Sequence, residues 1–179
     1  FDVPGTYMDG NSLGALSTDA EASLDRAVEQ WREHAVEGWT DAQPDWFRYG
    51  ERLGGKLAPL VGAREQEVAV CGSTTTNIHT LIATFYDAAN GGSAANASNP
   101  GTILVNDLDF PTDHYAIRAQ LRQRGLDPDA HLTVVESDDD RTITADAVES
   151  ALRENDVDVL FLPSVFYRSG QLLDIERLT

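Results

Sequence analysis

Apolar residues recur at helical spacing through the first third of the chain. Ser17, Thr18 and Asp19 form a helix start, and apolar residues at helical intervals follow at Leu24, Ala27, Val28, Trp31 and Ala35. A second helix is predicted over 45–61, and Gly62 stands just past its end. The side chains expected to face inward from that helix are Phe47, Leu53, Leu57 and Leu60. We therefore expect residues 1–62 to form an N-terminal segment of helices.

From Glu67 onward, short apolar runs alternate with helical patterns. Strands are predicted over 67–71, 102–106, 132–136 and 157–162, and helices over 75–86, 112–124 and 144–154. This alternation predicts an α/β domain over 63–179, with a parallel-rich sheet and helices on both faces. The run over 157–162 is almost wholly apolar, which is typical of a strand at the centre of a parallel sheet. The small-residue stretch over 88–100 predicts a surface loop or insertion, because the alternation resumes after it.

Composition narrows the class of protein. Hydrophobic residues make up 41% of 179, which argues against wholesale disorder. No apolar run approaches the roughly 20 residues of a membrane helix. The first residues show no signal peptide, so a cytoplasmic location is expected. The single cysteine, Cys71, excludes an internal disulfide and a cysteine-based zinc cluster.

The charge balance is strongly acidic. The chain has 30 acidic and 13 basic residues, a net charge of −17, and Lys56 is its only lysine. Such a surface repels nucleic-acid phosphates and anionic membranes, so neither is expected as a partner. Lysine depletion with retained arginine favours adaptation to a high-salt cytoplasm over an ordinary acidic protein. We therefore predict a melting temperature that rises between low and molar potassium chloride, because salt screens self-repulsion.

Ligands of parallel α/β sheets bind at the carboxyl ends of the strands, which directs attention to the loops there. The loop over 72–77 precedes a helix and carries several hydroxyls, so it suits either an anion site or plain helix capping. The loop over 106–115 brings together an aromatic residue, a proline and acids, and it also fits a capped helix start. His79 and His114 lie near helix starts, but two histidines do not define a metal site, and no metal is predicted.

Four sequence blocks in order carry a resemblance to a known family. They read YMDGNSLG at 7–14, STTTNIH at 73–79, DFPTDHYAI at 109–117 and SGQLLDI at 169–175, and segments at 37–46, 57–63 and 120–128 also fit. The chain resembles the N-terminal part of kynureninase, a pyridoxal-phosphate (PLP) enzyme family. The resemblance implies an incomplete large domain of fold type I, the aspartate aminotransferase-like fold. It covers essentially the whole chain.

The resemblance implies roles for individual residues of a PLP site. Thr74 and Thr75 match positions that hold the cofactor phosphate, Thr74 through its backbone N–H. Phe110 matches the aromatic residue that stacks on the pyridine ring, and Asp113 matches an acid of the same pocket.

The resemblance also implies substrate contacts and two departures from the family pattern. Asn11 and Ser12 match the polar turn that reaches the substrate, and Trp39 stands where some relatives place a histidine against the substrate ring. Pro163 stands where some relatives have a serine, and Arg168 stands where a tyrosine is common. Both departures affect the back wall of the pocket.

For a complete enzyme, the resemblance implies hydrolysis of L-kynurenine or 3-hydroxykynurenine by a homodimer, within tryptophan catabolism and NAD biosynthesis. The products from L-kynurenine are anthranilate and L-alanine. Family members carry an aspartate under the pyridine nitrogen and a Schiff-base lysine further along, and neither is found before Thr179. No catalytic residue is therefore assigned, and the 179 residues alone are expected to be inactive. A truncated non-catalytic fragment, or another fold type I enzyme such as a cysteine desulfurase or aminotransferase, is the alternative.

Overall fold

A computed structural model describes residues 3–86 and 101–179 of the chain. The chain consists of two compact units, residues 1–71 and residues 72–179. The segment over 63–71, which the sequence assigned to the α/β part, is grouped with the first unit. The predicted loop over 88–100 lies outside the described residues. No helix in the described ranges is both long enough and apolar enough to span a membrane.

The first unit is helical. Helix α1 spans Thr18–His34, and the Ser17 hydroxyl caps it by accepting the Ala20 N–H at 3.1 Å. A 3₁₀ turn and the short helix α2 (Gly38–Asp41) follow, and helix α3 then spans Tyr49–Val61. Gly62 ends α3 in the left-handed conformation, at a φ of 68°, as the sequence predicted.

Helix α3 differs from the prediction in its start and in its buried face. Its first turn begins four residues later than predicted, because Asp45 turns the chain by accepting the Arg48 N–H at 3.1 Å. The inward orientation predicted for Phe47 and Leu60 is wrong, since they are 76% and 79% exposed. The same prediction is wrong for the exposed Leu57, and Leu53 is half-buried.

Small residues form the buried side of α3, at Gly54 and Ala58. A Cβ on Gly54 would lie 2.2 Å from the Val68 carbonyl oxygen, so the backbone approaches closely there. Close backbone approach, rather than large apolar side chains, therefore defines the packed side of this helix.

The strand predicted over 67–71 is wrong within the described residues. A 3₁₀ turn at Glu65–Glu67 occupies its start, and the Val68 N–H donates back to the Glu65 carbonyl. Residues 68–71 are not assigned to a strand in the ranges 3–86 and 101–179. An apolar run alone does not make a strand, because its backbone N–H and C=O groups need a neighbouring strand.

The second unit contains a parallel sheet with helices on both faces, which confirms the predicted α/β class. Its elements in order are α4 (Thr74–Phe85), β1 (Thr102–Asn106), α5 (Pro111–Gln123), α6 (Pro128–His131), β2 (Leu132–Val135), α7 (Ala145–Glu154), β3 (Val157–Leu160) and α8 (Ile175–Leu178). The strand order is β2-β1-β3, and both pairings are parallel.

The pleat of β1 divides the core of the second unit between the two faces of the sheet. Ile103 and Val105 pack with α4 and α5, whereas Leu104 packs with residues of α7 and α8. Residues 103–106 of β1 are fully buried. This alternation is the period of two expected of a strand covered on both sides.

Strand β1, rather than β3, is the central strand of the described sheet. Among residues 3–86 and 101–179, β3 pairs with β1 alone; it ends at Leu160 and is half-buried along its length. The prediction that the run over 157–162 forms the sheet centre is therefore wrong for the described residues. Hydropathy reports how apolar a strand is, but not how many of its edges are paired.

Candidate functional site at the carboxyl ends of the strands

A buried turn follows β1 and sets the position of Phe110. The Asn106 side chain is fully buried, and its Oδ1 accepts the Leu108 N–H at 2.9 Å. The Asp109 carboxylate, in turn, accepts the Asn106 N–H through Oδ2 at 3.3 Å. These two bonds close the turn on itself, so that the chain leaves it at Phe110.

Phe110 stands at the point where this turn becomes helix α5. It occupies the N-cap position, Pro111 fills the first helical position, and the Phe110 ring is 52% exposed. The ring meets Tyr167, from the segment after β3, edge to face with centroids 5.1 Å apart. An accessible aromatic ring therefore lies among the loops that follow β1 and β3.

The Asp109 carboxyl is the most perturbed acid of this turn. It is 6% exposed, and burial raises its pKa to about 6. Hydrogen bonds from Asn106 and the electrostatic interaction with nearby His114 lower the Asp109 pKa, whereas the electrostatic interaction with Asp113 raises it further. Asp109 Oδ1 and Asn106 Nδ2 are both buried without a hydrogen-bond partner among the described residues.

His114 ties the first turn of α5 back to the end of β1. Its Nε2 lies 2.8 Å from the Asn106 carbonyl oxygen and 4.0 Å from Asp109 Oδ2. The neighbouring Asp113 is half-buried, and burial raises its pKa, while His114 acts in the opposite direction. The sequence predicted a site role for Asp113 but not for Asn106, Asp109 or His114. The sequence placed all three in the candidate loop over 106–115, and Asp109 and His114 in the block at 109–117, without giving any of them a role.

The first turn of α4 is a helix N-terminus capped by Ser73. The Ser73 hydroxyl accepts the Thr76 N–H at 3.3 Å, and the Ser73 carbonyl accepts the Asn77 N–H at 2.9 Å. Thr74 and Thr75 occupy the first two helical positions, where N–H groups precede the first intrahelical acceptor. The Thr74 side chain is exposed and that of Thr75 is half-buried. Their N–H groups lie at the positive end of the α4 dipole, as a phosphate requires.

The predicted substrate residues belong to the first unit. Asn11 and Ser12 are exposed in a turn closed by Ser12 and Leu13 N–H groups, which donate to the Asp9 carbonyl. Trp39 lies on α2, half-exposed, with its ring edge to face with Trp46 at a centroid distance of 6.4 Å. All three side chains are accessible, and their role toward a substrate stays a prediction.

The remaining residues singled out from the sequence have plain surroundings. Lys56 is exposed on α3, in the first unit. Pro163 is half-buried after β3, and Arg168 is exposed nearby. Within the described ranges, no three His, Cys, Asp or Glu side chains are grouped to hold a metal ion.

The second unit has the architecture of an incomplete fold type I domain: a parallel sheet covered on both faces, with the Phe110 turn at the carboxyl end of β1. No protein-family profile matches the chain. Individual proteins do match it, and the resemblance to kynureninase is confirmed. The chain is 47% identical over 173 residues to the kynureninase of Bacillus cereus (strain ZK / E33L), a match that covers 97% of the chain and 38% of that protein.

Two further kynureninases are similar to the chain at nearly the same level of identity. The chain is 43% identical to the kynureninase of Shouchella clausii over all of its 179 residues, and 44% identical to that of Geobacillus thermodenitrificans over 173 residues. The chain spans about two fifths of the length of the relatives it matches, 40% and 38% in these two cases. It is thus a homologue of a portion of kynureninase.

Proposed function

We propose that these residues form the phosphate- and ring-binding portion of a PLP-dependent kynureninase. The activity would be hydrolysis of L-kynurenine or 3-hydroxykynurenine, which in the first case breaks a carbon–carbon bond and yields anthranilate and L-alanine. The observation that carries the proposal is the half-exposed Phe110, held at the carboxyl end of β1 beside the N-terminus of α5. The 43–47% identity to kynureninases over 97–100% of the chain supports it.

The described residues fit the phosphate of the cofactor. The α4 N-terminus offers N–H groups of Thr74 and Thr75 that precede the first intrahelical acceptor, and the hydroxyl groups of both residues lie in the same turn. Gly72 precedes them at a φ of +39°, and a Cβ there would lie 3.2 Å from the Thr76 side chain. A side chain at position 72 would therefore crowd the first turn of α4 and adopt a strained backbone conformation, and glycine avoids both.

The described residues also fit the ring of the cofactor. Phe110 offers an accessible aromatic surface that its contact with Tyr167 holds in place. Asp113, two residues into α5, adds a partly buried carboxyl that can accept a hydrogen bond. When bound, PLP supplies an electron sink for the bond that breaks. The chain itself binds and orients the reactants, since no proton-transfer group is assigned within it.

Substrate contacts come, in this proposal, from the first unit. Asn11, Ser12 and Trp39 are exposed, so a ligand can reach them, and the indole of Trp39 offers an apolar face to an aryl group. We propose a homodimeric, cytoplasmic enzyme of tryptophan catabolism that feeds NAD biosynthesis. The lysine that binds the cofactor covalently would lie in the part of the relatives that this chain does not span.

Cofactor binding to the 179-residue chain tests the proposal. We expect saturable PLP binding by equilibrium dialysis, competition by inorganic phosphate, and at least a twofold weaker affinity in Phe110→Ala. Phe47→Ala is the matched control, because it removes an exposed phenylalanine from the first unit. We expect no visible imine band and no anthranilate formation from the isolated chain.

Three outcomes would contradict the proposal. Absence of saturable binding would remove the phosphate and ring site, and an unchanged affinity in Phe110→Ala would remove the ring assignment. A stoichiometric borohydride-trapped adduct on Lys56 would show a different cofactor arrangement, because Lys56 lies exposed on α3 and not in the Thr74–Thr75 turn or beside Phe110.

A further inference from the structure

The second unit contains a cavity of about 420 Å³ beyond the carboxyl ends of its strands. Three segments surround it: the turn after β1, the connection between β2 and α7, and the segment after β3. Its lining residues are Leu108, Asp140, Arg141, Phe166, Arg168 and Ser169. The volume falls within the range of about 300–1,000 Å³ that small-molecule sites occupy.

The floor of this cavity is apolar and lies on one face of the sheet. Leu108 and Phe166 are buried, and both belong to the core cluster shared with α7 and α8. Helices α4 and α5 pack on the opposite face, with Ile103 and Val105. The cavity is therefore formed by a different face of the sheet from the one that carries the Thr74–Thr75 turn.

Two arginines without acidic partners give the cavity its charge. Half of the twelve arginines form ion pairs in the described chain, namely Arg32, Arg52, Arg64, Arg118, Arg153 and Arg177. The guanidinium groups of Arg141 and Arg168 have neither an ion pair nor a hydrogen bond among the described residues. In a chain with a net charge of −17, a cavity lined by two unpaired arginines and one carboxylate, Asp140, is locally positive and attracts an anion.

Backbone contacts fix the segment that carries Arg141. Its N–H donates to the Asp139 carboxylate at 2.9 Å, and the Thr142 N–H donates to the same oxygen at 2.7 Å. These bonds lower the pKa of Asp139 to about 2 and engage its carboxylate with backbone groups. Asp139 therefore fixes the position of Arg141 without neutralising its side chain.

The segments that carry the two arginines are joined to each other. Gln171 accepts the Ile143 N–H through Oε1 at 2.9 Å and donates through Nε2 to the Ile143 carbonyl at 2.6 Å. Residues 166–171 close their own turn, with the Phe166 N–H donating to the Gln171 carbonyl at 3.0 Å. The cavity wall is thus held in place before any ligand arrives, which lowers the cost of binding.

We propose that this cavity binds a small organic monocarboxylate with a compact apolar body. The carboxylate would lie between Arg141 and Arg168, whose planar guanidinium groups match its geometry, and the body would rest on Leu108 and Phe166. The Asp140 carboxylate, also at the cavity, repels further negative charge and so disfavours a phosphate dianion. The proposal does not depend on PLP binding.

Calorimetric titration of the 179-residue chain with benzoate at low ionic strength tests the site. We expect saturable binding that falls at least about tenfold in Arg141→Gln and in Arg168→Gln. The neutral isostere benzamide and inorganic phosphate should both bind more weakly than benzoate. Arg122→Gln is the matched control, because Arg122 is exposed on α5 and does not line the cavity.

A further variant distinguishes binding in the ordered cavity from nonspecific attraction of benzoate to the two arginines. Gln171→Ala keeps both arginines but removes the link to Ile143, and we expect weaker benzoate binding in it. Denaturant unfolding of each variant identifies those that no longer fold. Three results would each overturn the proposal. They are no benzoate binding to the unmodified chain, tighter binding of phosphate than of benzoate, or an affinity for benzoate in folded Arg141→Gln and Arg168→Gln that equals that of the unmodified chain.

Discussion

The two units of this chain use similar helical patterns with opposite results. In the second unit, helices α4, α5, α7 and α8 bury apolar side chains against both faces of a sheet. In the first unit, the 17-residue helix α1 has no buried residue, and its Leu24 and Trp31 are exposed. An amphipathic pattern therefore shows that a helix can form, but not that its apolar face is covered.

Close approaches at glycine positions characterise the packing of the first unit, whereas large buried side chains characterise the packing of the second. A Cβ on Gly38 would lie 2.5 Å from the Trp46 ring, and one on Gly54 would lie 2.2 Å from the Val68 carbonyl oxygen. In contrast, Leu104 and Ile117 of the second unit are fully buried leucine and isoleucine side chains. Truncation of large apolar residues should consequently affect the two units very differently.

The largest expected effect comes from truncation in the central strand. Leu104→Ala removes a fully buried side chain from β1 and should lower the free energy of unfolding by about 2–5 kcal/mol. Leu24→Ala, at a position 65% exposed on α1, should change it by less than about 0.5 kcal/mol. Denaturant unfolding followed by circular dichroism measures both variants.

This pair of variants also tests whether the comparison holds. A cost of several kcal/mol in Leu24→Ala would mean that the apolar face of α1 is covered in solution. The difference between the two units would then disappear.

The second effect concerns the buried acid beside Phe110. The Asp109 pKa of about 6 in the folded chain exceeds the value of about 3.9 for an unfolded aspartate. The folded state therefore binds this proton more tightly, and the resulting stability is fully present below about pH 4 and lost as the pH rises through about 6. The difference corresponds to about 3 kcal/mol.

Asp109→Asn should remove this pH dependence, because asparagine keeps an oxygen acceptor for the Asn106 N–H but does not titrate. We expect its stability relative to the unmodified chain to rise between about pH 4 and pH 7 by up to about 3 kcal/mol. Asp138→Asn, at an exposed position, is the control. Parallel pH profiles for the unmodified chain and Asp109→Asn would mean that the pKa of Asp109 does not differ between the folded and unfolded chain.

Elements with a clear start signal were predicted closely from the sequence. Strand β1 has the predicted bounds, and α7 begins one residue after its predicted start, because Thr144 is its N-cap. The predicted strand at 67–71 failed because strand formation depends on a partner that an apolar run does not reveal. The exposure of Phe47 and Leu60 could not be predicted either, since spacing on a helix does not show which side another element covers.

The candidate site likewise has features that could be predicted from the sequence and features that could not. Sheet topology alone selected the loop that holds Phe110, because the strand ends of a parallel sheet share one edge. The loop that holds Thr75 was selected as the end of a strand over 67–71, which the described residues do not form. The unpartnered atoms of Asn106 and Asp109 depend on burial by residues distant in sequence, so no local pattern could indicate them. The cavity arginines, Arg141 and Arg168, were likewise separated by two elements and came together only in the fold.

A third, smaller effect contrasts helix caps in the two units. The Thr144 hydroxyl accepts the Ala147 N–H at the start of α7, which buries Val148 in the core. Thr144→Ala should lower the free energy of unfolding by about 1 kcal/mol. Ser17→Ala removes the equivalent bond from α1 but should fray that helix locally, because α1 has no buried residue to couple it to global unfolding.

Hydrogen exchange and denaturant unfolding together separate these outcomes. Ser17→Ala should speed exchange in the first turn of α1 and leave the unfolding midpoint unchanged, whereas Thr144→Ala should shift the midpoint. Equal midpoint shifts in both variants would show that α1 unfolds together with the second unit.

The smallest expected effect compares one aromatic pair in each unit. Phe110 and Tyr167 meet edge to face at 5.1 Å, and Trp39 and Trp46 do so at 6.4 Å. A double-mutant cycle with leucine at each position isolates the pairwise energy from the loss of buried area. We expect a coupling of about 0.5–1.5 kcal/mol for Phe110–Tyr167, and a smaller one for Trp39–Trp46, whose rings lie near the far limit of favourable contact.

Tyr167 follows β3 and Phe110 follows β1, so a coupling near zero would mean that the two segments move independently. Phe110 would then lack the support that a fixed ring-stacking residue needs, while the buried turn through Asn106 and Asp109 would still hold its backbone.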